Sequence, residues 1–137
     1  MGRKMISKRI KNYHNLAMAS SKLSDYERIK IGAVLVKKGD VISIGYNRKK
    51  THPTQKKYNK FRNMNGHQND FIHAEIDAII KSKSNLNGAF IYISRQTCNG
   101  ELGMCRPCPA CMEAIRESGI SRVYYTSNEG YERLTFS

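Results

Sequence analysis

The chain has 137 residues, 39% of them hydrophobic. This length and composition can bury a core, so we expect one folded domain spanning residues 1–137 and not a disordered segment. The longest apolar run, Ile31 to Val36, is far shorter than the roughly 20 residues needed to cross a membrane. No continuous apolar segment follows the N-terminal charges as in a signal peptide, so we predict a soluble, cytoplasmic protein.

The formal net charge of +13 is unevenly distributed. Met1 to Ser24 contains six Lys or Arg residues and no acidic residue, and Val41 to Asn69 contains seven and no acidic residue. Such a field favours a phosphorylated small molecule, a nucleic acid or another acidic partner, although a basic surface can also serve only solubility.

The first half of the chain predicts a helix and a hairpin. Apolar residues at three-to-four spacing predict an amphipathic helix from Ser7 to about Lys22, with His14 on its surface. Two β-branched runs, Ile31–Val36 and Val41–Tyr46, predict strands joined by a turn at Lys37–Asp40. The first run is almost continuously apolar, which indicates burial on both faces.

The segment from Arg48 to Asn69 is basic and has no convincing period, so we predict a long loop. A second helix is predicted from Phe71 to about Ser84, with Asn69 or Asp70 as its cap. A third strand follows at Ala89–Ser94.

After an irregular segment from Arg95 to Arg106, Pro109 begins a third predicted helix with Cys108 as its cap. This helix ends near Ser118, and Ile120–Thr126 is the fourth predicted strand; the remaining tail has no assignment. The resulting order α-β-β-α-β-α-β predicts an α/β fold, in which one sheet is covered by helices.

The chemistry concentrates in His73-Ala74-Glu75 and in Cys108 and Cys111. The two cysteines are three residues apart at a predicted helix start, so they share a face, and a helix N-terminus favours the thiolate that binds metals. With His73 as a third ligand, one tetrahedral position stays open for water, which is typical of a catalytic zinc site. Glu75 can stand beside that position as a general acid/base.

The cysteine spacing C-x6-C-x2-C-x2-C leaves an alternative open. Cys98 and Cys105 could join Cys108 and Cys111 in a closed four-thiolate zinc site, and the protein would then be a non-catalytic nucleic-acid-binding module. That alternative leaves His73-Ala74-Glu75 without a role. Cys98, Cys105, His52 or His67 could also hold a second metal, although ordinary thiols and solvated loop histidines are the commoner case.

His-Ala-Glu followed by Pro-Cys-x-x-Cys, on the expected strands and helices, resembles the zinc-dependent cytidine/deoxycytidylate deaminase superfamily from roughly Lys8 to Thr126. The resemblance implies a three-layer α/β/α sandwich with a mixed five-stranded sheet. It implies one catalytic Zn²⁺ on His73, Cys108 and Cys111. It also implies hydrolytic deamination of cytosine by zinc-bound hydroxide, with Glu75 moving the protons.

The same resemblance implies that Ala74 offers its backbone to the base and that Asn47 contacts the sugar. Gly45-Tyr46-Asn47 followed by a long insert is most like the deoxycytidylate branch, including its phage members, which implies conversion of deoxycytidylate to deoxyuridylate. Asp77 departs from this branch, which often has Asn at that position. Family habit implies a homo-oligomer.

The basic residues of the insert are candidates for binding a 5′-phosphate: Arg48, Lys49, Lys50, Lys56, Lys57, Lys60 and Arg62. The alternative substrate is a base within a polynucleotide, either tRNA or single-stranded DNA, with the basic stretches following the phosphates. Tyr58 and Phe61, among the insert's lysines, could then stack on bases.

Overall fold

The computed structural model describes residues 6–62 and 70–136. Along these residues the elements are α1 (Lys8–Ser21), β1 (Ile31–Lys37), β2 (Asp40–Tyr46), β3 (Arg48–Thr51), α2 (Pro53–Tyr58), a 3₁₀ turn (Asn59–Phe61), β4 (Phe71–Ile72), α3 (Ala74–Lys81), β5 (Phe90–Arg95), α4 (Pro109–Glu117), β6 (Arg122–Ser127) and β7 (Gly130–Thr135).

The main sheet has five strands in the order β2-β1-β5-β6-β7. Its β5–β6 pair is parallel, and its other three pairs are antiparallel. Helix α1 packs on one face, and the core containing α3 and α4 residues lies on the other. The mixed five-stranded α/β/α sandwich is therefore confirmed, and its fifth strand, β7, comes from the tail that had no assignment.

Strand β1 is buried on both faces, as its continuous apolar sequence predicts. Val34 and Val36 pack in the core beneath α1, whereas Ala33 and Leu35 point into the opposite core. Alternate side chains of a strand point to opposite faces, so one strand serves both cores. The β1–β2 hairpin also matches its prediction, because Lys38 and Gly39 have the positive φ angles of a two-residue turn.

The second predicted helix begins later than expected. Phe71 and Ile72 pair with β3 as strand β4, and α3 starts only at Ala74 with His73 as its N-cap. Asp70 is therefore not the cap, and Asn69 lies in 63–69, outside the described residues. Phe71 and Ile72 are extended and not helical because their backbone pairs with β3.

The predicted long loop is also partly wrong. Residues 48–51 form β3, and residues 53–58 form α2, with Pro53 at the first helical position and the His52 Nδ1 accepting a hydrogen bond from the Thr54 N–H. A helix of six residues is too short to show a hydrophobic period, which is why the sequence pattern missed it.

His14 is not on the surface as predicted, because it is only 2% exposed. Its Nδ1 lies 2.8 Å from Ser94 Oγ on β5, and its ring contacts Tyr92 and Tyr131. Residue 14 follows Ile10 by one helical turn and therefore shares the face of α1 that packs on the sheet.

The segment between β5 and α4 is a compact hairpin. Gln96 and Leu102 form a bridge, and the Gly103 N–H donates to the Arg95 carbonyl. Buried Thr126 on β6 anchors the hairpin, since its Oγ1 donates to the Gly103 carbonyl at 2.7 Å. Among the described helices, none is long and apolar enough to span a membrane.

Candidate active site

The direction of the strands places two helix N-termini side by side. Strand β1 is antiparallel to both β2 and β5, so β2 and β5 run the same way, and β6 runs parallel to β5. Helix α3 comes after β2, and α4 comes after β5, so both helices begin at the carboxyl edge of these strands. This edge is where ligands bind in α/β sheets.

Each helix start supplies candidate metal ligands. His73 is the N-cap of α3, and its extended backbone (φ −85°, ψ 157°) places the side chain outside the helix. Cys108 is the N-cap of α4, Pro109 follows at the first helical position, and Cys111 is buried in the first turn. The predicted arrangement at Cys108 and Pro109 is therefore observed.

The three side chains converge. Cys108 Sγ lies 3.5 Å from His73 Nδ1, and Cys111 Sγ lies 3.3 Å from the same nitrogen. One ligand atom from each residue lies within 4.8 Å of the others, and these residues form the metal-ligand group found among residues 6–62 and 70–136. One imidazole nitrogen and two sulfurs fit zinc and leave one tetrahedral position for water or substrate.

The charge state of this group suits a metal. A hydrogen bond with Cys111 lowers the pKa of the Cys108 thiol to about 4, so Cys108 is a thiolate at neutral pH. Burial raises the pKa of Cys111. Burial lowers the pKa of His73, but its hydrogen bond with Cys108 and the charge of Glu75 outweigh burial and raise the pKa overall. Metal binding would displace the proton on Cys111.

Glu75 lies in the first turn of α3 and is 5% exposed. Burial raises the pKa of its carboxyl to about 7, against the opposing influence of His73. A carboxyl group with a pKa near neutral can both accept and return a proton, which is the property a general acid/base requires.

A cleft of about 300 Å³ opens beside these groups. Its lining includes His73, Ala74, Glu75 and Cys108. The remaining lining residues are Tyr26, Ile29, Ile31 and Asn47 before α3, and Arg95, Met104, Cys105 and Arg106 after it. The volume is at the lower limit for small-molecule sites, so it suits a ligand of nucleotide size or smaller.

Ala74 and Asn47 both line the cleft, as the resemblance implies. Ala74 is the first residue of α3. Asn47 also has a local role, because its Oδ1 accepts from the Ile31 N–H at 3.0 Å and its Nδ2 donates to the Ile29 carbonyl at 2.7 Å. These bonds hold the segment before β1 against the cleft.

The other cysteines stay outside the metal-ligand group. Cys98 is exposed, and the Cys105 thiol donates to the Ile93 carbonyl at 3.3 Å. Burial raises the pKa of Cys105 to about 12, so it remains protonated. The described residues therefore do not assemble the closed four-thiolate site. His52 serves as the cap of α2, and His67 lies outside the described residues.

Arg95 and Arg106 are the basic cleft residues that the sequence analysis did not predict. They stand at the two ends of the segment between β5 and the cysteines, which the sequence marked only as irregular. Described insert residues 48–62 contribute no side chain to the cleft lining. Arg48 instead pairs with buried Asp77, which also accepts from Lys81 Nζ at 2.8 Å.

The fold and the His-Cys-Cys group beside a buried glutamate define the class of zinc-dependent deaminases. Residues 7–127 match the family described as the cytidine and deoxycytidylate deaminase zinc-binding region, and the chain belongs to this family.

Two relatives in sequence and one solved structure agree with this family. The deoxycytidylate deaminase of Mycobacterium phage D29 is 32% identical over 130 residues, covering 80% of this chain and 88% of the phage protein. Riboflavin biosynthesis protein RibD of Aquifex aeolicus is 30% identical over 141 residues, covering 95% of this chain but only 33% of RibD. The crystal structure of the dCMP deaminase from cyanophage S-TIM5, in complex with dCMP and dUMP, is 26% identical, with a TM-score of 0.62 over 90% of this chain and 85% of the other.

Proposed function

We propose that this protein hydrolyses deoxycytidylate to deoxyuridylate and ammonia, with one water consumed for each ammonia released. The observation that carries the proposal is the convergence of the His73 imidazole and the Cys108 and Cys111 thiols beside the buried Glu75 carboxyl. Similarity to the phage deoxycytidylate deaminases supports the substrate.

His73, Cys108 and Cys111 would hold a single zinc ion. When bound, zinc supplies a Lewis acid that lowers the pKa of a water and so provides a nucleophile at neutral pH for attack on C4 of cytosine. Glu75 takes one proton from this water and gives it to N3 of the ring, then takes the second proton from the hydroxyl group added at C4 and gives it to the departing amine. Burial of Glu75 keeps bulk water from competing for that proton.

Ala74 and Asn47 orient the nucleotide in this proposal. The backbone of Ala74 at the start of α3 contacts the base, and Asn47 contacts the sugar at the cleft wall. The 5′-phosphate has two candidate sites, the insert's basic residues and the pair Arg95 and Arg106. We favour the arginine pair, because both line the cleft.

An ammonia-release assay with purified protein tests the reaction. The substrates are deoxycytidylate, cytidylate, both nucleosides, free cytosine and single-stranded DNA, with Glu75→Gln as the control variant. We expect activity on deoxycytidylate that falls by roughly 10²–10⁴-fold or more in Glu75→Gln, because general acid–base catalysis contributes that much. Undiminished activity in Glu75→Gln would disprove the mechanism.

A polynucleotide base is the second candidate substrate. Its support is an aromatic and basic surface on the insert, where Tyr58 and Phe61 are stacked at 6.5 Å between ring centroids, and Lys57 and Lys60 lie over the two rings. Base stacking on aromatic residues and phosphate contacts with lysines are how proteins hold single strands. Activity on the oligonucleotide alone in the same assay would select this candidate.

The proposal also covers the extent of the domain, its compartment and its assembly. We propose that residues 1–137 form one catalytic domain, that it acts in the cytoplasm, and that it assembles as a homo-oligomer. Unpaired Cys98, Cys105, Cys108 and Cys111 agree with a reducing compartment. Analytical ultracentrifugation measures the subunit number, and a single monomeric species would disprove the assembly.

A further inference from the structure

We infer that Gln55 on α2 is a positioning residue that fixes the backbone of His73 for metal binding. The inference deepens the proposed function, since it rests on His73 being a zinc ligand. Gln55 has 0% exposure although it is polar, and it lies in the insert that the sequence predicted to be a loop.

The hydrogen bonds of Gln55 form a chain through the insert. Gln55 Oε1 accepts from the His73 N–H at 2.9 Å. Gln55 Nε2 donates to Asn59 Oδ1 at 2.8 Å, and Asn59 Nδ2 donates to Asp70 Oδ1 at 2.7 Å. Because the carboxylate of Asp70 can only accept, this chain sets the orientation of both amides and directs Gln55 Oε1 toward His73.

This bond supplies a helix cap that α3 lacks within its own sequence. In a capping box, a Glu or Gln at the third helical position reaches back to the backbone N–H of the N-cap residue. That position in α3 is Ile76, which is buried in the apolar core. The side chain of His73 makes no capping bond either, and its Nδ1 faces the two thiols. Gln55 therefore satisfies the His73 N–H from another helix.

Helix α2 also contacts the helix that carries the cysteines. The Tyr58 hydroxyl donates to Glu117 Oε1 on α4 at 3.0 Å, and its ring packs against a cluster that includes Cys111 and Ala114. Helix α2 thus joins α3 and α4, the two helices whose N-terminal ends supply the ligands. Ligand atoms must be held to within about 0.5 Å, so a support that spans both helices bears directly on metal affinity.

Gln55→Met tests the inference, because methionine has similar length and adapts to buried sites but cannot accept from the His73 N–H. Lys56→Met introduces the same residue at the next, exposed position of α2 and is the matched control. Zinc affinity is measured by competition with a chromogenic chelator, which requires no enzymatic activity. Loss of outer-shell partners lowers metal affinity by roughly 10–100-fold, so we expect at least a tenfold loss in Gln55→Met and no change in Lys56→Met.

A second measurement keeps the test decisive if Gln55→Met does not fold. In the metal-free wild-type protein, the His73 amide should be protected from hydrogen exchange, because it is bonded to Gln55. An unprotected His73 amide or an unchanged zinc affinity in Gln55→Met would each overturn the inference.

The outcome is separable from the proposed function. A wild-type protein that deaminates deoxycytidylate while Gln55→Met binds zinc normally would leave the function standing and remove the role of Gln55. If the protein is inactive on every substrate but its zinc affinity depends on Gln55, the proposed function is wrong and the role of Gln55 stands.

Discussion

At the scale of single residues, two arginines line the active-site cleft, and each makes a hydrogen bond within the protein. The Arg95 NH1 donates to the Met104 carbonyl at 3.3 Å, and the Arg106 NH1 donates to the Tyr125 hydroxyl at 3.2 Å. Arg106 is exposed, and its guanidinium also lies over the Tyr125 ring, 5.9 Å from the centroid. Several N–H donors of Arg106 thus remain to bind an anion.

Arg106→Gln should raise KM for deoxycytidylate by roughly ten- to a hundredfold while kcat changes little, because it removes a charge-assisted hydrogen bond to the phosphate. Steady-state kinetics with deoxycytidylate and deoxycytidine provide the measurement, and the nucleoside should show no effect. Lys57→Gln on the insert is the matched control. If KM rises only when the insert's basic residues are replaced, the phosphate binds there and our preference for Arg106 is wrong.

Buried His14 makes the free energy of unfolding depend on pH. Burial lowers the pKa of His14 to about 4, whereas an unfolded chain has a histidine pKa near 6.5. Between these values the unfolded state binds more protons than the folded state, so the free energy of unfolding falls as the pH drops from 6.5 to 4.

The shift of His14 corresponds to about 3 kcal/mol across this window. His14→Gln removes the titration, so its free energy of unfolding should fall less between pH 7 and pH 4. Urea unfolding at several pH values gives the comparison, and the carboxyl groups common to both proteins cancel in the difference. Parallel pH profiles in the two proteins would contradict the prediction.

At the scale of elements, α1 lies on β1 because residue 32 is glycine. A Cβ at Gly32 would lie 1.9 Å from the Ala17 carbonyl oxygen of α1. A similar approach joins α3 to β2, where a Cβ at Gly45 would lie 2.4 Å from the Ala78 nitrogen. Both contacts are with backbone atoms, so the helices themselves would have to move.

Gly32→Ala should therefore lower the free energy of unfolding by about 3 kcal/mol or more, the upper end for an overpacked core. Gly39→Ala is the comparison, because Gly39 has open space around it and only a positive φ of 82°, which costs about 1–2 kcal/mol. Urea unfolding measures both. Equal stability of the two variants would show that α1 accommodates the extra carbon.

Some helices and strands were predicted correctly from the sequence, and others were not. Helix α1 and the start of α4 agree with prediction to within a residue, because Ser7, Cys108 and Pro109 mark their starts through local chemistry. Helix α2 and the pair β3–β4 were missed. These elements are stabilised by residues far away in the chain, as Gln55 is bonded to His73. Such contacts produce no periodic pattern of apolar residues in the nearby sequence.

At the scale of the whole molecule, the sheet topology assembles the site. Strands β2, β5 and β6 share a direction, so the helices after β2 and β5 begin at one edge and bring His73 and Cys108 together across 35 positions of sequence. The charge of +13 belongs to this scale too. It attracts anions to the surface in general, whereas the cleft determines which anion can reach Glu75.

The sequence by itself determined the type of chemistry: an imidazole, two thiols and a carboxyl at two helix starts, in a family-specific order. The start of a helix and the type of a metal ligand depend on residues that are close together in the chain. Both can therefore be recognised from the sequence without knowledge of the tertiary contacts. Only the tertiary structure decided the surroundings, namely Arg95 and Arg106 on the cleft wall, Arg48 paired with Asp77, His14 in the core and Gln55 behind His73. The burial of a polar side chain, and its contact with a residue dozens of positions away, depend on how the helices and strands pack. Residues of the same polar types are commonly exposed to solvent elsewhere.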